Sequence, residues 1–143
     1  MIEIKKLTKE ILNSTTGLFQ TLESLTEAPE LSKEKTLEIF EKISKNNITI
    51  FVAIKENQII GTISVIIEQK FIHLGRTVSH IEDVSINKNF QKQGISRKLI
   101  ETAIKFSKTQ NSYKIILDCD EKLENFYNKF EFQKQGIMMR FNI

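Results

Sequence analysis

The run His80-Ile81-Glu82-Asp83-Val84-Ser85-Ile86 restricts what this chain can fold into more than any other stretch. Its apolar and β-branched residues make it a strand, yet it carries two adjacent acids. Successive side chains on a regular strand point to opposite faces, so Glu82 or Asp83 would have to enter a core. An unpaired buried carboxylate is too costly for that. The strand is therefore bulged at the acids, or it lies at a sheet edge with both acids solvated.

A polar loop follows, and Gly94 then opens a segment in which Ile95, Leu99, Ile100, Ala103, Ile104 and Phe106 form the inward face of a helix. A strand that feeds a helix through a short loop brings unpaired backbone N–H groups to one point. Gly94 would let a ligand approach the backbone there, or it serves as an ordinary turn glycine. The spacing matches neither a dinucleotide fingerprint, which needs further glycines, nor a P-loop.

Ile2 and Ile4 mark a first strand. Ile11, Leu12, Leu18, Phe19, Leu22 and Leu25 predict one helix ending at Glu27-Ala28-Pro29, because the residue before proline avoids helical angles. Ser32 is placed to cap a second helix with Leu37, Phe40 and Ile43 inward, closed by Asn46-Asn47. Ile48–Lys55 and Ile59–Glu68 read as a hairpin around Glu56-Asn57-Gln58, whereas Lys70–Ser79 is irregular. Tyr113–Leu117 is a further strand, and Leu123, Phe126, Tyr127 and Phe130 line a short helix. Gly136–Phe141 predicts a last strand. The order βααβββαβαβ implies an α/β (α+β) fold, a mixed sheet with helices on both faces. With 143 residues, 40% of them apolar, residues 1–143 form one domain around one core.

Charges of both signs are interspersed and the net charge is +3, so no block resembles a nucleic-acid arm and no nucleic-acid partner is expected. One cysteine rules out an internal disulfide and fits a reducing compartment. No run approaches a membrane span, and MIEIKKLTKE lacks a signal-peptide core, so a cytoplasmic location is expected. His73 and His80 are too few and scattered for a metal site, and no metal is expected. Cys119 reads as a small buried residue. Tyr127 reads as core with its hydroxyl reaching the surface. Asp118 ends its strand, where ligands of mixed α/β sheets collect; it could instead cap the next helix, a role for which Asp120 is better placed.

The loop Gln91-Lys92-Gln93-Gly94-Ile95-Ser96, of the form Gln/Arg-x-x-Gly-x-Gly/Ala, resembles the acetyl-coenzyme A (acetyl-CoA) loop of the GNAT acetyltransferases, and the element order is similar across the chain. HIEDVSIN, YKIILDCDEK and FYNKFEF, with IIEQKFIH and LESLTEAPELS upstream, resemble the glucosamine-6-phosphate N-acetyltransferases. The resemblance implies transfer of acetyl from acetyl-CoA to the amine of D-glucosamine 6-phosphate, by direct attack in a ternary complex. It also implies that Val84, Ser85 and Ile86 pair with the pantetheine through main chain, and that Lys92, Gln93, Gly94, Ile95, Ser96 and Arg97 hold the pyrophosphate. Tyr127 would face the thioester sulfur, with Asn128 and Lys129 beside the cofactor. On the sugar side the matching positions are Thr26, Gln69, Lys70, Phe71, Ile72, Glu82, Asp83, Val84, Tyr113, Lys114 and Asp118. Tyr127, Asp118, Glu82 and Asp83 would be the catalytic set.

Departures from the family pattern concentrate at two places. Ser96 stands where Gly or Ala is usual, so its side chain is expected to turn away, with Arg97 adding a compensating charge. At the C-terminus, direct counting puts Asn142 where the family has a basic residue for the sugar phosphate, and Arg140 is expected to substitute from the same face of the last strand. Members of the family are usually homodimers, and a homodimer is expected. The alternatives are a GNAT enzyme with another amine acceptor and a non-catalytic CoA-binding domain.

Overall fold

The computed structural model describes residues Met1–Ile143. The helices are α1 (Lys9–Ser14), α2 (Leu18–Leu22), α3 (Lys33–Lys45), the single turn α4 (Ile72–Gly75), α5 (Ile95–Thr109) and α6 (Glu124–Asn128). The strands are β1 (Glu3–Lys6), β2 (Ile48–Lys55), β3 (Gln58–Gln69), β4 (Thr77–Ile86) and β5 (Ser112–Ile116). They form one sheet in the order β1-β2-β3-β4-β5. The first four are antiparallel neighbours, and β5 runs parallel to β4. A parallel neighbour requires a crossover, and α5 supplies it.

Strand alternation sorts the core onto two faces. Phe51, Ala53, Ile63, Val65 and Ile81 pack against Ile95, Leu99, Ile100 and Ala103 of α5. Val52 and Ile59 turn to the other face, where Leu7, Ile11, Leu12, Leu18 and Phe40 gather from the α1–α3 side. Helices thus cover both faces, as expected. Gly61 brings α5 close: a Cβ there would stand 2.9 Å from Ile95 Cγ2 and 3.1 Å from Leu99 Cδ1. The hairpin turns at Glu56 and Asn57, whose φ values of 50° and 60° suit the tight turn between twisted strands. Ser32 caps α3, its Oγ accepting from the Lys35 N–H at 3.2 Å.

Three expectations are corrected. The single helix over 11–25 is two helices, with Thr16 bridging to Gln58 between them. The Ile59 N–H donates to Thr16 O at 2.8 Å, so the start of β3 captures the chain there. Gly17, at φ 85°, makes the detour possible, because a Cβ would lie 2.8 Å from Ile59 O. The third strand begins at Thr77 rather than His80, since Thr77 already pairs with both Gln69 and Ser112. No strand forms over Gly136–Phe141. Ile137, Met139 and Phe141 are fully exposed: the segment has strand-like alternation but finds no strand edge within its own chain.

Candidate active site

The acids of β4 are accommodated by a bulge. Ser64 pairs with Glu82 and Thr62 with Ser85, so Asp83 and Val84 stand together opposite Ile63. Asp83 takes the strained angle, φ 50°, and Thr62 Oγ1 donates to its carbonyl at 3.3 Å. Glu82 is half-buried on the face α5 does not cover, and Asp83 reaches solvent. The bulge is adopted, and over the same residues β4 is also left unpaired on the β5 side.

β4 and β5 then part. Their ladder runs through Val78–Lys114 and Ser79–Ile115 to His80–Ile116, where it stops. Two residues further along the same register, Glu82 would face Asp118, and like charges directly opposite each other oppose pairing. Beyond the stop, β4 has no strand on that side. A cleft of about 270 Å³ opens there, between Val84, Ser85 and Ile86 on one wall and Phe90, Gln91, Lys92, Ile95 and Ser96 on the other. The Ser85 hydroxyl is buried and donates to Thr21 O at 2.6 Å, which ties α2 to this wall. Gly94 caps α5 at φ 74° with open space around its Cβ position. The unpaired N–H groups at the start of α5 therefore open toward solvent, an arrangement that suits an anion.

Charge concentrates at the fork between the strands. Burial first, then Asp118 and Asp83, push the Glu82 carboxyl above its usual range, with His80 opposing. Tyr127 is 8% exposed, with its ring edge-on to Phe126 and Phe132 at 5.0 and 6.0 Å. Burial first, then Cys119 and Asp118, raise its phenol, which stays protonated as a donor at neutral pH. Asp118 thus acts electrostatically on both Glu82 and Tyr127. Cys119 is exposed rather than buried, because it follows the end of β5 instead of lying inside it. The slight burial it does have, then Glu124, Asp118 and Asp120, push its thiol up, so it is no activated nucleophile. Asp120 takes the cap position of the 3-10 turn Glu121–Leu123 without a side-chain bond.

The structure groups some of the other expected residues and separates the rest. Lys114 shares the face of Glu82 and Asp118, its Nζ 5.6 Å from the Tyr113 ring, and Tyr113 stacks on His73 at 4.0 Å. Lys70 is ion-paired to Glu68. The Gln69 amide donates to Lys70 O and, at 2.6 Å, to Gly75 O, closing the turn that carries Phe71 and Ile72 into solvent. Thr26 ends the turn after α2, its N–H donating to Leu22 O. Asn128 and Lys129 are exposed at the end of α6. Ser96 is among the residues that line the cleft. Arg97 lies 5.4 Å over the Phe130 ring and 3.6 Å from Glu101, so its charge is drawn along the helix. Arg140 and Asn142 lie on the exposed tail, and without the expected strand the same-face argument for Arg140 does not hold within one chain.

Sequence reasoning missed Ser24 and Phe90 at the cleft, and Glu68 and His80 beside the acids. His80 could have been found, standing two residues from Glu82 on a strand. Ser24 could not, since only the packing of α2 brings it there. A larger cleft, about 720 Å³ between α2 and α3, holds none of the expected site residues. No helix is long and apolar enough to cross a membrane.

The family model described as Acetyltransferase (GNAT) family matches residues 15–132. A Dictyostelium discoideum protein named glucosamine 6-phosphate N-acetyltransferase 1 is 36% identical, over 86% of this chain and 80% of its own. The Trypanosoma brucei brucei protein named glucosamine 6-phosphate N-acetyltransferase is 33% identical, over 99% and 96%. Among solved structures, the glucosamine-6-phosphate N-acetyltransferase of Arabidopsis thaliana superposes with a TM-score of 0.91 at 29% identity, covering 99% of this chain and 98% of that one.

Glu82 also yields a stability prediction. Its folded carboxyl binds a proton more tightly than the unfolded one, so it contributes stability below its ordinary range and loses that contribution as pH rises. Glu82→Gln is expected to raise the melting temperature at pH 7. The gain should vanish near pH 4, as followed by thermal unfolding across pH.

Proposed function

The chain belongs to the acetyltransferase (GNAT) family, and we propose that it transfers acetyl from acetyl-CoA to the amine of D-glucosamine 6-phosphate, giving N-acetyl-D-glucosamine 6-phosphate for UDP-N-acetylglucosamine synthesis. The observation that carries the reading is the fork between β4 and β5, where the ladder ends short of Glu82 and Asp118 and leaves a strand edge open, with Asp118 acting on the Tyr127 phenol. Relatives at 33% and 36% identity bear the name of this activity.

Each side of the fork has its own task. The free edge of Val84–Ile86 offers main-chain groups to the pantetheine, and the N–H groups at the start of α5 suit its pyrophosphate. Carboxylates at Glu82 and Asp118 attract the sugar's ammonium and take its proton, directly or through water. The freed amine attacks the thioester carbonyl, the C–S bond breaks, the Tyr127 hydroxyl gives the leaving thiolate a proton, and the proton shed by the new amide nitrogen returns to Tyr127 directly or through water. Lys114, on the acid face, suits the 6-phosphate. With no activated nucleophile at the fork, direct transfer in a ternary complex is favoured over an acetyl-enzyme. The one cysteine, unpaired and exposed, is compatible with a cytoplasmic location.

A homodimer belongs to the same proposal. Ile137, Met139 and Phe141, at 90%, 89% and 91% exposure, recur with strand period and pack on nothing in their own chain. A second copy offering a strand edge accounts for them, and it would carry Arg140 toward the partner's sugar site.

Release of free coenzyme A thiol should be seen with glucosamine 6-phosphate and not with glucosamine; no turnover of any phosphorylated amino sugar refutes the assignment. Tyr127→Phe should lower kcat by about 10²-fold or more, in the range of general acid catalysis, with the dissociation constant for coenzyme A nearly unchanged. Removing residues 134–143 should turn a dimer into a monomer in sedimentation; an unchanged mass removes the tail from the interface.

A further inference from the structure

On the sheet face that α5 leaves uncovered, Ser64, Ile66 and Glu68 of β3 stand opposite Glu82, His80 and Val78 of β4. Alternation places all of them together, and Lys114 joins from β5 opposite Val78. Glu68 and His80 have no part in the mechanism above. Nevertheless the Glu68 carboxylate holds two neighbours at once: one oxygen takes the Lys70 ammonium and the other lies 2.7 Å from His80 Nε2. Glu68 is 43% and His80 28% exposed, so the cluster opens to the site instead of being sealed in the core.

We propose that Glu68 is the positioning residue of the acceptor site, holding Lys70 and His80 in place on the face of Glu82 so that they receive an anionic, hydroxyl-bearing acceptor. The inference rests on the acceptor reading above. A free lysine samples many rotamers and must be ordered when ligand binds. Pairing with Glu68 orders Lys70 beforehand, which is how preorganisation raises affinity. The same carboxylate fixes the ring of His80, two residues from Glu82. Lys70 first, then His80, hold the Glu68 carboxyl below its usual range, so the anion that does the holding persists at neutral pH. Gln69 closes the turn on the far side of Lys70, which confines the backbone that carries the ammonium.

Glu68→Gln keeps the shape and removes the charge. In calorimetry with coenzyme A present, it should weaken glucosamine 6-phosphate binding about tenfold, leave the coenzyme A dissociation constant within about twofold, and raise the acceptor KM more than it lowers kcat. Glu68→Asp should recover part of the loss. Unchanged acceptor affinity overturns the proposal. So does a loss shared by acceptor, coenzyme A and melting temperature, which would make Glu68 merely structural. A second readout is independent of the acceptor's identity. In protein saturated with coenzyme A, inorganic phosphate should shift the side-chain NMR resonances of Lys70 and His80 in the wild type, and clearly less in Glu68→Gln. Equal responses overturn the role of Glu68. If the wild type turns over no amino-sugar phosphate, the acceptor assignment fails while the phosphate titration still decides Glu68.

Discussion

The mutual repulsion of Glu82 and Asp118 sits at the centre of this molecule. A parallel pair of strands joined by a long helix would ordinarily stay hydrogen-bonded to its end. Here the ladder stops at His80 and Ile116, two residues before two carboxylates would meet. The bulge at Asp83 works in the same direction, since an extra residue bends the bulged strand and leaves a group unpaired. Repulsion and bend together leave one edge of β4 open inside a compact domain. An exposed strand edge is normally a liability, and in this chain a cleft opens along it.

The remaining architecture keeps that fork rigid. α5 covers the apolar face with a continuous row from Ile95 to Ala103, and Gly61 lets the helix sit close enough for its first turn to border the cleft. α2 is fastened from the other side by two buried hydroxyl bonds, Thr21 to Ile59 O and Ser85 to Thr21 O. One wall and the helix-start part of the other therefore belong to regular elements, and Tyr127 is placed by packing. Tyr127 owes its raised phenol to the same aromatic cluster that fixes its ring.

Features set by a residue and its near neighbours were legible in the sequence. Two adjacent acids in an apolar strand required a bulge or an edge, Ser32 announced a helix start, and Gly94 marked the cap of α5. Features that depend on distant partners were not. Ile11 to Leu25 carry a helical period, but the capture of Thr16 by β3 and the left-handed angle of Gly17 divide them. Gly136–Phe141 carries a strand's alternation, which reports what a segment can bury and not whether an edge is there to receive it. Arg140 was assigned through that strand, so within one chain nothing places it at the sugar site. Cys119 was read as buried from its residue type, and its position past the end of β5 decides otherwise. Glu68 escaped notice because its importance lies in two partners, one of them on another strand.

Amide hydrogen exchange with and without coenzyme A tests most directly whether the open edge of β4 is the cofactor's seat. Slowed exchange is expected at the amides of Val84–Ile86 that do not pair with β3 and at residues 92–96, with the α2–α3 cleft unaffected. Protection confined to that second cleft, with Val84–Ile86 unchanged, would contradict the placement of the site at the fork.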